Sequence, residues 1–191
     1  MNNKIILGAV LTSLLATTGV VMSDDDEHEH ERGEGNFFSR FFASAGVEPV
    51  NNQQYVEECG SCHFSFQPGL LPARSWKRMM GGLEDHFGEN AELDATDSKQ
   101  ILDYLVAGGS DKSNYRRSQK INRSIQRNSS PLRVSETPYF IRKHDELPAR
   151  YVQGNPQVGS ISNCAKCHTA ADKGSYSESG INIPGVGRWD D

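Results

Sequence analysis

All four cysteines of this 191-residue chain fall in two copies of one pentapeptide, Cys59-Gly-Ser-Cys62-His63 and Cys164-Ala-Lys-Cys167-His168. C-x-x-C-H is the attachment pattern of a c-type haem. The two thiols add across the porphyrin vinyl groups, and the adjoining imidazole becomes the proximal iron ligand. Competing chemistries fit the spacing less well. Zinc sites built of two C-x-x-C pairs keep them about 15–20 residues apart, whereas Cys62 and Cys164 are 102 positions apart. A redox-active C-x-x-C needs no histidine after it, yet both pairs have one in a chain with only six histidines. Two covalently attached haem c groups are the expected cofactors.

The N-terminus agrees with that chemistry. Lys4 is the only charge before Asp24, and residues 5–21 are a mostly apolar run followed by Val21-Met22-Ser23. This is the pattern of a cleavable secretory signal, residues 1–23, and covalent haem attachment takes place outside the cytoplasm. A periplasmic location is expected. The formal net charge of −5 becomes more negative once Lys4 leaves with the signal, and each haem adds two propionates. An exported, acidic protein is a poor candidate for binding nucleic acid. The hydrophobic share, 36%, is low for a globular domain. A haem macrocycle supplies apolar bulk that the side chains do not.

The chain divides by composition. Residues 24–46 hold an acidic tail, DDDEHEHERGEG, expected to be disordered, and a Phe37, Phe38, Phe41, Phe42 stripe at helical spacing. Residues 47–110 form a first haem unit. A short helix through Tyr55 is expected to deliver Cys59, followed by one over 74–87 capped by Gly88 and one over 94–107. Residues 111–136 form a basic linker, in which Lys112, Arg116, Arg117, Lys120, Arg123, Arg127 and Arg133 occur without an acid between them. It is expected to bridge the two haem units, neutralise propionates or present a docking face. Residues 137–191 form a second haem unit, with a short helix over 139–147. The expected fold is mainly α, two small haem domains joined by that linker.

Function turns on the ligand opposite each proximal histidine. A methionine raises the reduction potential, a second histidine lowers it, and an open site admits O2, NO or peroxide. Outside the signal the only methionines are Met79 and Met80, so the second unit has none. Outside the acidic tail and the two motifs, the only histidines are His86, 23 residues after His63, and His144, 24 before His168. Two irons need partners and two histidines are available, so His63, His86, His144 and His168 are the candidate iron ligands. Crossed ligation, with each histidine serving the other unit's iron, stays open at this level. Two closed irons would make an electron carrier; one open iron would make a haem enzyme or ligand-binding protein; a haem-based redox sensor is a third class.

The runs Glu58-Cys-Gly-Ser-Cys-His63, Pro68-Gly-Leu-Leu-Pro-Ala-Arg-Ser-Trp76, His86-Phe-Gly88, Asn163-Cys-Ala-Lys-Cys-His168 and Ile183-Pro184 resemble those of the dihaem cytochromes c of bacterial periplasms. The PGLLPARSW run is more specific than the haem motifs, and the resemblance spans residues 47–184. It implies two bis-histidine haems, one per small cytochrome c-like helical domain, with His86 and His144 as sixth ligands. It also implies electron delivery to a small oxygen-binding monohaem cytochrome c and association with a membrane b-type cytochrome. The reading is a monomeric electron carrier that does no chemistry on a substrate.

Overall fold

Asn52 starts the first helix: its side chain accepts the Tyr55 N–H at 2.8 Å, and helix α1 runs over Gln53–Cys59. It carries Cys59 on its last turn, as the sequence predicts. The computed structural model describes residues 46–189. The predicted signal peptide, the acidic tail with His28 and His30, and the phenylalanine stripe all lie outside the described residues.

After the first motif, Pro68–Leu70 forms a 3-10 turn and Pro72 leads into helix α2, Ala73–Met80. Buried Trp76 donates its indole N–H to the Pro68 carbonyl at 2.8 Å, locking turn and helix together. Helix α2 is shorter than predicted. Gly81 caps it, Gly82 follows, and a 3-10 turn over Leu83–Asp85 replaces the rest. Two adjacent glycines raise the cost of continuing the helix by about 1 kcal/mol each, and the chain leaves it there. His86 therefore does not sit on α2 at all, and Gly88 caps no helix. Helix α3, Ala95–Ala107, appears where predicted. Asp94 accepts the N–H groups of Thr96 and Asp97, and Ile101 and Leu105 point inward.

The basic stretch is folded. Helix α4, Arg116–Ser124, crosses it and buries Ile121. Ser118 Oγ on α4 stands where a β-carbon on Gly69 would go, so a side chain at 69 would force Ser118 to move. Arg74 donates to the carbonyls of Ser129 and Gln126, and Arg78 to that of Ser130, so α2 holds the following loop. Thr137 caps helix α5, Pro138–Lys143. It ends at Lys143 with His144 as its C-cap, short of the predicted Leu147. Helix α6 is the four-residue Cys164–Cys167, and Asn182–Ile183 (β1) pairs antiparallel with Gly187–Arg188 (β2).

The architecture is mainly helical, and the buried side chains gather in three clusters. The first, Tyr55, Leu71, Trp76, Ile101 and Leu105, belongs to the first haem unit. The third, Val152, Val158 and Ile183, belongs to the second. Between them Val47, Leu70, Ile121, Ile125 and Tyr139 pack together with Phe66 and Tyr176, drawing on both units and on the basic stretch. Three buried aliphatic side chains supply only about 1.5–3 kcal/mol each, against a backbone ordering cost of about 1–2 kcal/mol per residue. The second unit therefore leans on the shared cluster.

Candidate haem sites

The first motif closes α1. The Gly60 N–H returns to the Val56 carbonyl at 2.9 Å, and a β-carbon at Gly60 would collide with that carbonyl and with Ser65 Oγ. Cys59 is half-buried, Cys62 exposed, and neither is in a disulfide. His63 turns its Nδ1 to the Phe64 carbonyl at 2.8 Å. A carbonyl only accepts, so Nδ1 carries the proton and Nε2 keeps its lone pair for a metal. The ring of His86 stands opposite, centroids 6.0 Å apart and planes at 25°.

His86 reaches that place from a tight turn. Its N–H donates to the Glu89 carbonyl at 2.7 Å, and Phe87 and Gly88 between them both have positive φ, +59° and +100°. This is the primed-turn pattern, which normally selects Asn-Gly. A phenylalanine there costs about 1–3 kcal/mol. It is held by contacts on two sides: its ring lies 4.8 Å from that of His86, and the Arg133 guanidinium sits 3.8 Å over it. Burial, then the neighbouring charges of His63 and Arg133, keeps His86 below the usual histidine range, in the neutral form that binds metals.

The second site is built differently. Asn163 anchors the motif by donating to the Val158 carbonyl at 2.6 Å, and α6 presents Cys164 and Cys167, again both free thiols. His168 follows, its ring edge-on to Tyr176 at 5.3 Å. His144 ends α5 with its ring stacked on Phe140, centroids 3.8 Å and planes 12° apart, and its Nδ1–H on the Phe140 carbonyl at 2.9 Å. The His144 and His168 rings stand 6.2 Å apart with planes at 76°. Burial, then the charges of His144 and Arg117, pushes His168 down to about 4.

The residues fit haem c. Each motif offers two unpaired thiols beside an imidazole. Burial pushes Cys59 and Cys164 up to about 11, the opposite of the depressed thiol of a redox-active C-x-x-C. Two imidazoles that share one metal put their ring centres about 6 Å apart, with metal–nitrogen bonds of about 2.0 Å. His63 faces His86 and His144 faces His168; the crossed pairs are not formed. Met79 and Met80 pack against the first core cluster instead. Sequence reasoning missed Arg133, Phe87, Tyr176 and Gln67, whose contacts join segments far apart in the chain. Gln67 is fully buried; its Nε2 donates to the Ala171 carbonyl and its Oε1 accepts the Tyr176 hydroxyl, both at 2.5 Å.

Comparison with known proteins gives a consistent picture. A family model described as dihaem cytochrome c matches residues 55–176. A diheme cytochrome type c from Shewanella baltica OS155 is 44% identical, with 73% of this chain and 98% of that one aligned and a TM-score of 0.61. A diheme cytochrome c from Rhodobacter sphaeroides is 41% identical over 68% of this chain and 100% of its own, also with a TM-score of 0.61. No curated protein sequence matches the chain.

Proposed function

Because the chain belongs to the dihaem cytochrome c family and carries two covalently attached haem c groups, we propose that it is a periplasmic electron carrier with both irons closed by histidine pairs. The haems supply one-electron exchange between ferric and ferrous iron. Haem-based electron transfer is the business of the family; the ligation, location and partners are our reading.

The observation that carries the reading is the facing of His63 with His86 and of His144 with His168, at 6.0 and 6.2 Å. Cys59 and Cys62 hold one group, Cys164 and Cys167 the other. His63 and His144 are oriented by carbonyls, of Phe64 and Phe140, that keep the proton on Nδ1 and leave Nε2 to bind. A histidine pair at each iron would leave no place for substrate and would favour low potential. The leader residues support export. Partners remain those the family resemblance suggests, a small oxygen-binding monohaem cytochrome c and a membrane b-type cytochrome, met by a monomer through small, salt-sensitive contacts.

Optical spectra of ferric, ferrous and CO-treated holoprotein test this. Two low-spin haems that ignore CO are expected, and His144→Ala should open the second haem alone to CO. Ready CO binding by the native protein would instead favour an open-site haem protein.

A further inference from the structure

Arg117, in the first turn of α4, is built into the second haem site from the basic stretch. Its backbone N–H donates to the Gly46 carbonyl at 3.0 Å, and its Nη1 donates to the Tyr139 hydroxyl at 2.9 Å. Its Nε has no exposed surface and no hydrogen-bond partner, and a β-carbon on Gly46 would stand 3.1 Å from it. The guanidinium lies close enough to His168 and Tyr176 for its charge to act on both. Among the described residues no carboxylate answers it. A second guanidinium, that of Arg142, lies 5.6 Å from the centre of the Tyr139 ring. Among the described residues the ion pairs join Lys99 to Asp103, Arg133 to Glu136 and Lys143 to Glu178, and none includes Arg117.

A guanidinium with a desolvated nitrogen and no counter-ion is costly, and proteins pair such charges. The group attached at Cys164 and Cys167 brings two carboxylates of its own. We propose that Arg117 is the counter-ion of a propionate carboxylate of the second haem. The arginine fork suits a carboxylate better than a lysine does. A fixed cation at that position also favours the reduced, more negative state of the cofactor, so Arg117 raises the midpoint potential of the second haem relative to what its ligands alone would set. This rests on haem attachment at the second motif and not on ligation by His144, which the CO experiment tests separately.

The test is a spectroelectrochemical titration of intact holoprotein carrying Arg117→Gln or Arg117→Lys, with the two haems distinguished by their ferric resonance signals. In Arg117→Gln the Fe(III)/Fe(II) equilibrium of one haem, the second, should shift at least tenfold toward Fe(III), about 59 mV for one electron. The first haem should be unmoved, and Arg117→Lys should retain most of the native value. An unchanged second haem, equal shifts at both haems, or equal shifts in the Gln and Lys variants would overturn the proposal. Should Arg117→Gln fail to load its second haem, Arg117→Lys decides alone: loading at near-native potential supports the proposal, and failure to load sinks it.

Discussion

The ring planes of His144 and His168 stand at 76° to one another, nearly perpendicular, whereas those of His63 and His86 lie at 25°, nearly parallel. Two parallel imidazoles act on the same iron d orbital and split it from its neighbour; perpendicular imidazoles act on both alike and leave them close in energy. With the proposed ligation, the ferric protein should give two unlike low-spin resonance signals of equal intensity. One should be an ordinary rhombic spectrum, the other far more anisotropic. Low-temperature EPR of the oxidised protein checks this, and two identical rhombic signals would contradict the ring geometry.

A hydrogen bond from Tyr176 to Gln67 spans 109 positions of chain and ties the two haem units. Tyr176→Phe leaves the Gln67 amide oxygen buried without a donor, a loss of about 1–3 kcal/mol. Adding Gln67→Leu to that variant should cost less than the two single changes together, because the partners fail as a unit. Denaturant unfolding of the four holoproteins measures it; strictly additive costs would show that the bond does not couple the units.

The depressed His168 sets an acid limit. Its folded-state value, about 4, lies below the ordinary 6.5 of an unfolded chain, so folding favours the neutral ring. That contribution is complete above pH 6.5 and is lost as pH falls toward 4. Iron bound at that lone pair would oppose protonation further. The low-spin spectrum of the second haem should therefore stay constant from pH 8 to 6.5 and give way only near or below 4. A pH titration of the Soret band that turned high-spin around 6.5 would refute this.

Removing the second haem should unfold more than its own site. In Cys164→Ala with Cys167→Ala the second unit keeps only Val152, Val158 and Ile183 as its own core. Hydrogen exchange should then be fast across residues 144–189 and retained in α3, whose Ile101 and Leu105 belong to the first cluster. Native-like protection of the second unit without its haem would show the cluster to be sufficient.

The parts of this molecule that a reader of the sequence can find are those encoded in neighbouring residues. The five-residue motifs carry their chemistry intact, Asp94 announces α3, and Pro68 to Trp76 fold among themselves. His86 and His144 emerge from counting the remaining histidines, not from any local pattern. A helix to Phe87 follows from apolar spacing, but Gly81 and Gly82 end it, and nothing local announces a phenylalanine at positive φ. The buried bond of Gln67, the counter-charge role of Arg117 and the cover of Arg133 over Phe87 depend on distant segments meeting, which periodicity does not report.

Val47 donates its N–H to the Gly174 carbonyl, while Gly46 accepts from Arg117. The strand of chain that enters the first haem unit is thus stitched to the end of the second. The two motifs look like interchangeable cassettes, yet neither could be cut out and traded between genes without tearing a seam in the other. In such a protein recombination is constrained at the level of the pair, and the inheritable module is the dihaem whole.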